Sequence, residues 1–238
     1  MDIRNSVVLI TGASAGIGLA TARLFAQEGA RLALVARSAD VLTALAGELR
    51  AQRGEAIAIP ADLKVSAQAT QAVAQTIQHY GRLDILINNA GQAAAGTVAD
   101  VSLDDFREIL ELNVFAPLAA MQAAIPTMRG QGGGLIINIS SMVTKMRIPG
   151  LAAYAATKVA LNMLSDTARG ELAADNIRVI SVLPRMTATD FSANSLGSPE
   201  LRQRQRTNPN AVVDPPEHVA ERILRAATDE PPEQYMDS

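Results

Sequence analysis

Val7-Val8-Leu9-Ile10-Thr11-Gly12-Ala13-Ser14-Ala15-Gly16-Ile17-Gly18 is the stretch on which the fold turns. Its first four residues are apolar and mostly β-branched, the pattern of a short buried strand. Glycines follow at 12, 16 and 18, and the chain then runs into the helical pattern of about 17–29. Glycine at a strand-to-helix junction lets the backbone turn sharply and approach a ligand that a side chain would exclude. The helix beginning there offers free N–H groups and a partial positive charge, which suit a pyrophosphate. Gly12, Ser14, Ala15, Gly16, Ile17 and Gly18 are therefore the candidate phosphate-binding residues. A tight βα turn without a ligand is the plainer reading, and the position between strand and helix counts against it.

The rest of the chain repeats this unit. Short apolar runs stand at Val7–Ile10, Leu32–Val35, Ala56–Ile59, Ile85–Ile87, Leu135–Ile139 and Val179–Leu183. Between them lie Ala- and Leu-rich stretches at about 17–29, 39–52, 66–80, 103–129 and 152–174. Alternating βα units with wholly apolar strands predict a parallel sheet covered by helices on both faces. No linker interrupts the series, so a single domain is expected over 1–238. About seven strands are expected; the last is short or missing, because only Glu233–Ser238 follow Pro231-Pro232. Two regions break the rhythm. Gln131–Gly134 reads as the turn ending a long helix. The polar stretch from Arg185 to Pro216 is long for a βα connection, and a substrate flap is expected at about 187–213.

Composition narrows the function classes. Cysteine is absent, which removes disulfides, thiolate metal sites and a thiol nucleophile, and no metal site is expected. His79 and His218 are the only histidines, both in polar helical surroundings, and both read as surface residues. The net charge of −3 implies no attraction to nucleic acid or to an acidic membrane. Val7–Ile10 is too short for a signal-peptide core, and no uncharged apolar run approaches ~18 residues, so no membrane span is expected. A cytoplasmic location is the expectation.

The end of the second strand reads Leu34-Val35-Ala36-Arg37-Ser38. Dinucleotide folds that prefer NAD place an acid there for the ribose 2′-hydroxyl. Arg37 can instead pair with a 2′-phosphate, with Ser38 adding a hydrogen bond, and this predicts NADP(H). An exposed arginine leading a helix is the alternative. Tyr154 and Lys158 lie four residues apart in a helical stretch, which puts phenol and ammonium on one face. A nearby cation favours phenolate and is expected to lower the Tyr154 pKa. A partly buried tyrosine beside a snorkelling lysine is the plainer reading.

Taken in order, these features resemble the short-chain dehydrogenase/reductase family, in its single-domain branch, over almost the whole chain. Thr11, Gly12, Gly16 and Gly18 match its TGxxxGxG loop, and Asn88-Asn89-Ala90-Gly91 its NNAG motif. Asp62-Leu63 match the acid and its neighbour beside the adenine. Asn113, Ser141, Tyr154 and Lys158 match its catalytic tetrad, Ser141 standing thirteen residues before Tyr154. Ser140 falls on the other face of the strand and is expected to pack. The resemblance implies a Rossmann-type doubly wound α/β sheet and Asn89, Ala90, Gly91, Tyr154, Lys158, Pro184, Thr187 and Thr189 as further cofactor-binding residues. It also implies Tyr154 as general acid/base, Ser141 holding the substrate oxygen, Lys158 acting on phenol and ribose, and Asn113 supporting a water linked to Lys158.

Departures from the family pattern are as informative. Arg185 replaces a glycine near the nicotinamide end, where it either steers an anionic substrate group or points to solvent. Ser181 replaces an Asn, and Thr144 stands where a Gly often follows the serine pair, both with consequences for pocket shape. Arg202, Arg204 and Arg206 in the flap read as a solvated surface, while Met142, Met146 and Met186 are candidates for an adaptable apolar lining.

The expected activity is hydride transfer between NADP(H) and a small carbonyl or secondary alcohol substrate. A 3-oxoacyl-(acyl-carrier-protein)-type reductase is the rival, with Arg129 and Arg169 as candidate contacts for an acidic carrier. A non-catalytic NADP(H)-binding regulator is the third reading, which the intact Ser141, Tyr154 and Lys158 disfavour. The long stretches 103–129 and 152–174 are expected to pair across a two-fold axis in a homodimer or homotetramer.

Overall fold

The computed structural model describes residues 1–198, 213–229 and 233–235. Seven parallel strands form its main sheet: β1 (Val7–Thr11), β2 (Arg31–Ala36), β3 (Glu55–Pro60), β4 (Ile85–Asn88), β6 (Gly134–Ile139), β7 (Ile177–Leu183) and β11 (Glu233–Tyr235). They lie in the order β11-β7-β6-β4-β1-β2-β3. The last strand is present and short, three residues paired with Ser181–Leu183 of β7. The chain builds outward from β1 to β3, then returns to β4 on the other side of β1. That reversal leaves a crevice beyond the C-terminal ends of β1 and β4, where ligands of open α/β sheets bind.

Side chains alternate across the pleat and sort into two cores. Val8, Ile10, Leu32, Leu34, Ile137 and Val182 face one side, under α1 (Gly16–Gln27), α2 (Ala39–Ala51) and α7 (Pro216–Asp229). Val7, Leu9, Val35, Leu86, Ile136 and Val179 face the other, under α3 (Ser66–Tyr80) and α5 (Ala116–Gly130). Strands buried on both faces explain the continuous apolar runs of the sequence. Asp84 ties two strand starts together: its carboxylate accepts from Val7 N at 2.8 Å and pairs with Arg82 at 2.7 Å.

The stretch expected as one helix at 103–129 is divided. α4 (Leu103–Leu110) gives way to a π-turn at Glu111–Phe115 before α5 begins. The whole of Leu103–Gly130 is long and apolar enough to cross a membrane, yet α5 buries Ala116, Ala120, Met121, Ala124 and Met128 against the sheet. α6 (Ala152–Leu172) follows β6 after a short 3-10 turn at Met142–Lys145. Two small ladders lie outside the main sheet: β5 (Ala94–Ala95) with β9 (Leu196–Gly197), and β8 (Met186–Thr187) with β10 (Val213–Asp214). Within the expected flap, 199–212 lie outside the described residues, as do Arg202, Arg204 and Arg206.

Candidate active site

The glycine loop sits at the end of β1 with backbone that other residues resist. Gly12 and Gly16 have φ of 68° and 53°, in the left-handed region. A Cβ on Gly18 would lie 2.2 Å from Gly12 O and 2.6 Å from Asn89 Nδ2. α1 begins here with no side-chain cap at Ala15 and no acid in its first turn. Its leading N–H groups therefore remain for a ligand, and the cradle fits a dinucleotide pyrophosphate. Asn89 braces the loop from below: its Nδ2 donates to Thr11 O at 2.9 Å and to Gly12 O at 3.4 Å. The Thr11 hydroxyl accepts from Asn89 N and Ala90 N. The Asn89 amide group thus shapes the cradle.

Arg37 and Ser38 are exposed at the end of β2. At the end of β3, Asp62 is half-buried and held by its loop, accepting from Lys64 N at 3.1 Å, while Leu63 is buried beside it. Thr189 comes down over the glycine loop, so that a Cβ on Gly16 would meet Thr189 Cγ2 at 2.9 Å. Pro184 is buried and accepts from Met142 N at 2.9 Å, and Thr187 is half-buried in β8.

Helical spacing on α6 brings Tyr154 and Lys158 together as expected, both buried. Lys158 Nζ lies 5.9 Å from the centre of the Tyr154 ring and donates to Ile139 O at 2.8 Å. Ser141, at the end of β6, lies close enough to the Tyr154 phenol to act on its pKa, and its Oγ accepts from Val143 N at 3.2 Å. Ser140 faces inward, buried, with no partner for its hydroxyl among the described residues, as a packing residue does. The electrostatics run against expectation. Burial pushes Tyr154 up to about 12, with Ser141 acting the other way. Burial also pushes Lys158 down to about 8. The ammonium that was expected to lower the phenol pKa is itself disfavoured by the same dry surroundings, and it is turned toward a carbonyl.

Asn113 occupies the π-turn, fully buried, with every amide hydrogen used. Its Oδ1 accepts from Gln92 N at 3.0 Å; its Nδ2 donates to Gln92 O at 2.8 Å and to Thr157 Oγ1 at 3.0 Å. The side chain locks the loop after β4 to α6, so any water it supports is held by its remaining acceptor capacity. Gln92, which sequence reasoning missed, carries this link outward: its Nε2 donates to Asn194 O at 2.7 Å. Its place one residue after the NNAG match was the available signal.

Arg185 takes neither of the two roles expected of it. Its guanidinium forms two hydrogen bonds of 3.1 Å to the carboxylate of Asp214, which is buried in β10. The cation is committed to a neighbour across the β8–β10 ladder. Arg129 pairs with Asp175, and Arg169 donates to Val179 O and Asp166, so both candidate carrier contacts are engaged within the chain. His79 and His218 are exposed, as the sequence implied.

The short chain dehydrogenase family matches residues 6–198, which include Asn113, Ser141, Tyr154 and Lys158. The chain belongs to this family. It is 34% identical over 231 residues to 3alpha-hydroxysteroid dehydrogenase of Mediterraneibacter gnavus, covering 96% of this chain and 92% of that one. A blue fluorescent protein from a metagenomic library, solved in complex with NADPH, shares 32% identity at a TM-score of 0.87, with 100% of this chain and 98% of that one covered. A short chain dehydrogenase/reductase from Burkholderia phymatum in complex with NAD superposes at a TM-score of 0.91 over 99% and 90% of the two chains. At 23% identity the last likeness shows the fold alone. The chain is thus an oxidoreductase-family protein with the family's Rossmann-like fold.

Proposed function

We propose that this protein is an NADP(H)-preferring oxidoreductase acting on a carbonyl or secondary alcohol, with Tyr154 as its general acid/base. The observation that supports this most is the buried Tyr154 phenol, beside Ser141 and on one helix face with Lys158, at the same sheet edge as the glycine cradle. NADP(H), when bound, supplies or takes up the hydride. Gly12, Ser14, Ala15, Gly16, Ile17 and Gly18 hold its pyrophosphate, and Arg37 with Ser38 the 2′-phosphate. Asp62 and Leu63 flank the adenine, and Ala90, Gly91, Pro184, Thr187 and Thr189 line the nicotinamide end. Related proteins were solved with NADPH and with NAD, so the preference is assigned on Arg37, exposed with no acid at the end of β2.

Ser141 orients the substrate oxygen toward the phenol. With its pKa raised, Tyr154 holds its proton at neutral pH and delivers it to the oxygen as negative charge develops there. In the reverse direction the phenolate must form first, and that state needs Lys158 protonated nearby. Asn113 acts as a positioning residue through Gln92 and Thr157. A cytoplasmic homodimer or homotetramer completes the reading.

Fluorescence titrations with NADPH and NADH test the cofactor assignment. NADPH is expected to bind roughly tenfold or more tightly than NADH, the scale of one charge-assisted pair, and Arg37→Asp to abolish the difference. Equal affinities in the parent protein would overturn the NADP(H) preference, and binding of neither would overturn the oxidoreductase reading.

A further inference from the structure

Tyr154 is part of an apolar wall: Ala93, Ala94 and Val143 are buried with it, and the partly buried Leu151 and Leu196 pack against them. Phe191 closes this wall from the flap: its ring centre lies 5.6 Å from that of Tyr154, tilted at 56°. Phe191 is 36% exposed.

The segment carrying Phe191 is fastened on both sides. Upstream, β8 pairs with β10 and Arg185 grips Asp214. Downstream, β9 pairs with β5, and Asn194 O is held by Gln92. Between the anchors, Phe191 N donates to Thr189 Oγ1 at 3.3 Å and Phe191 O accepts from Ser195 Oγ at 3.1 Å. A ring held this way is part of a formed surface.

Both Asn113 amide hydrogens are used, one Gln92 amide hydrogen serves Asn194 O, and Arg185 is paired with Asp214. Lys145 and Arg147 are exposed in the loop beyond Ser141, outside the apolar cluster. Ser141 and Tyr154 address one oxygen, and the side chains gathered around the Tyr154 and Phe191 rings are hydrocarbon. Burying an unmatched hydroxyl against such a wall costs free energy, whereas burying hydrocarbon gains it.

We infer that the substrate is an apolar ketone or its alcohol, bulky and poor in further hydroxyls, and that Phe191 is its specificity-determining contact. This rests on the oxidoreductase reading above. The ring packs on the hydrocarbon part of the substrate and excludes water from the reacting carbonyl.

Initial rates of NADPH oxidation with menthone, an apolar alicyclic ketone, and with L-sorbose, a polyhydroxylated ketose, test it in the intact protein. Binding of menthol to the NADP⁺-loaded protein is measured in parallel by calorimetry. Menthone is expected to exceed L-sorbose in kcat/KM by roughly a hundredfold. Phe191→Ser should lose roughly tenfold or more in kcat/KM for menthone, through KM, and weaken menthol binding to match; Phe191→Leu should retain most of both. L-sorbose turned over as well as or better than menthone would overturn the inference while leaving the oxidoreductase reading in place. A lower KM for menthone in Phe191→Ser would show that the ring blocks the site, and would likewise overturn it. If NADPH binds but neither ketone oxidises it, and menthol fails to bind, both the inference and the carbonyl reading fall. Unchanged thermal melting of Phe191→Ser separates a lost contact from a lost fold.

Discussion

Lys158 is held by the fold at a cost to stability. Its pKa is lowered to about 8 from 10.5, so between those values the unfolded chain binds the proton that the folded protein has released. Stability attributable to this residue therefore rises with pH from about 8 to 10.5, and the penalty is fully present below 8. Lys158→Met should be more stable than the parent at pH 7 by on the order of 1–3 kcal/mol, while losing turnover. Denaturant unfolding of the two proteins across this range checks it; a constant difference would show that the ammonium is not desolvated. Arg185 makes the opposite prediction. Arg185→Gly restores the usual family residue but leaves the buried Asp214 carboxylate without its partner, and should cost about 1–3 kcal/mol by the same measurement. A stabilised Arg185→Gly would mean that the pair contributes nothing.

At the scale of elements, the glycines separate those that build the site from those that do not. Gly18→Ala would drive a methyl into Gly12 O, so it should weaken NADPH binding at least tenfold and lower the melting temperature. Gly47→Ala, in α2 with nothing within 4 Å of the added Cβ, should stabilise by about 0.5–1 kcal/mol. Thermal melts with NADPH titration distinguish the two; equal effects would dissolve the cradle argument. Most elements were legible beforehand because period and punctuation agree: the apolar runs fall within the six longest strands, and α2 and α6 begin where the helical pattern does. The π-turn was not legible, because Leu112, Val114 and Phe115 continue an apolar helical pattern and only the folded backbone shows the change. The β5–β9 and β8–β10 ladders are two residues per strand, too short for any period, and are set by which loops the sheet brings together. The convergence of Asn113, Tyr154 and Lys158 was legible as ordered spacing. The electrostatics of the site were not, since desolvation belongs to the packed protein and the expected effect of Lys158 on the phenol came out reversed. Arg185 was misjudged for a related reason: its partner lies 29 residues away, in a strand with no signature.

For the whole molecule, one helix face is uncovered among the described residues. Val159 and Met163, four residues apart on α6, are 50% and 66% exposed, and Phe115 in the π-turn is also exposed. A second copy of the chain, paired through α4–α5 and α6, would cover them. Val159→Glu combined with Met163→Glu should shift the mass seen by light scattering toward the monomer, with the fold intact by circular dichroism. An unchanged mass would place the interface elsewhere.

The central claim is that hydride transfer in this protein depends on the proton of one buried phenol. The direct measurement is steady-state turnover of Tyr154→Phe on the best substrate of a ketone panel, beside NADPH titration of the same preparation. The account predicts unchanged NADPH affinity and a kcat lower by roughly a thousandfold, the scale of a lost general acid. A kcat within a few-fold of the parent, with the cofactor still bound, would contradict it.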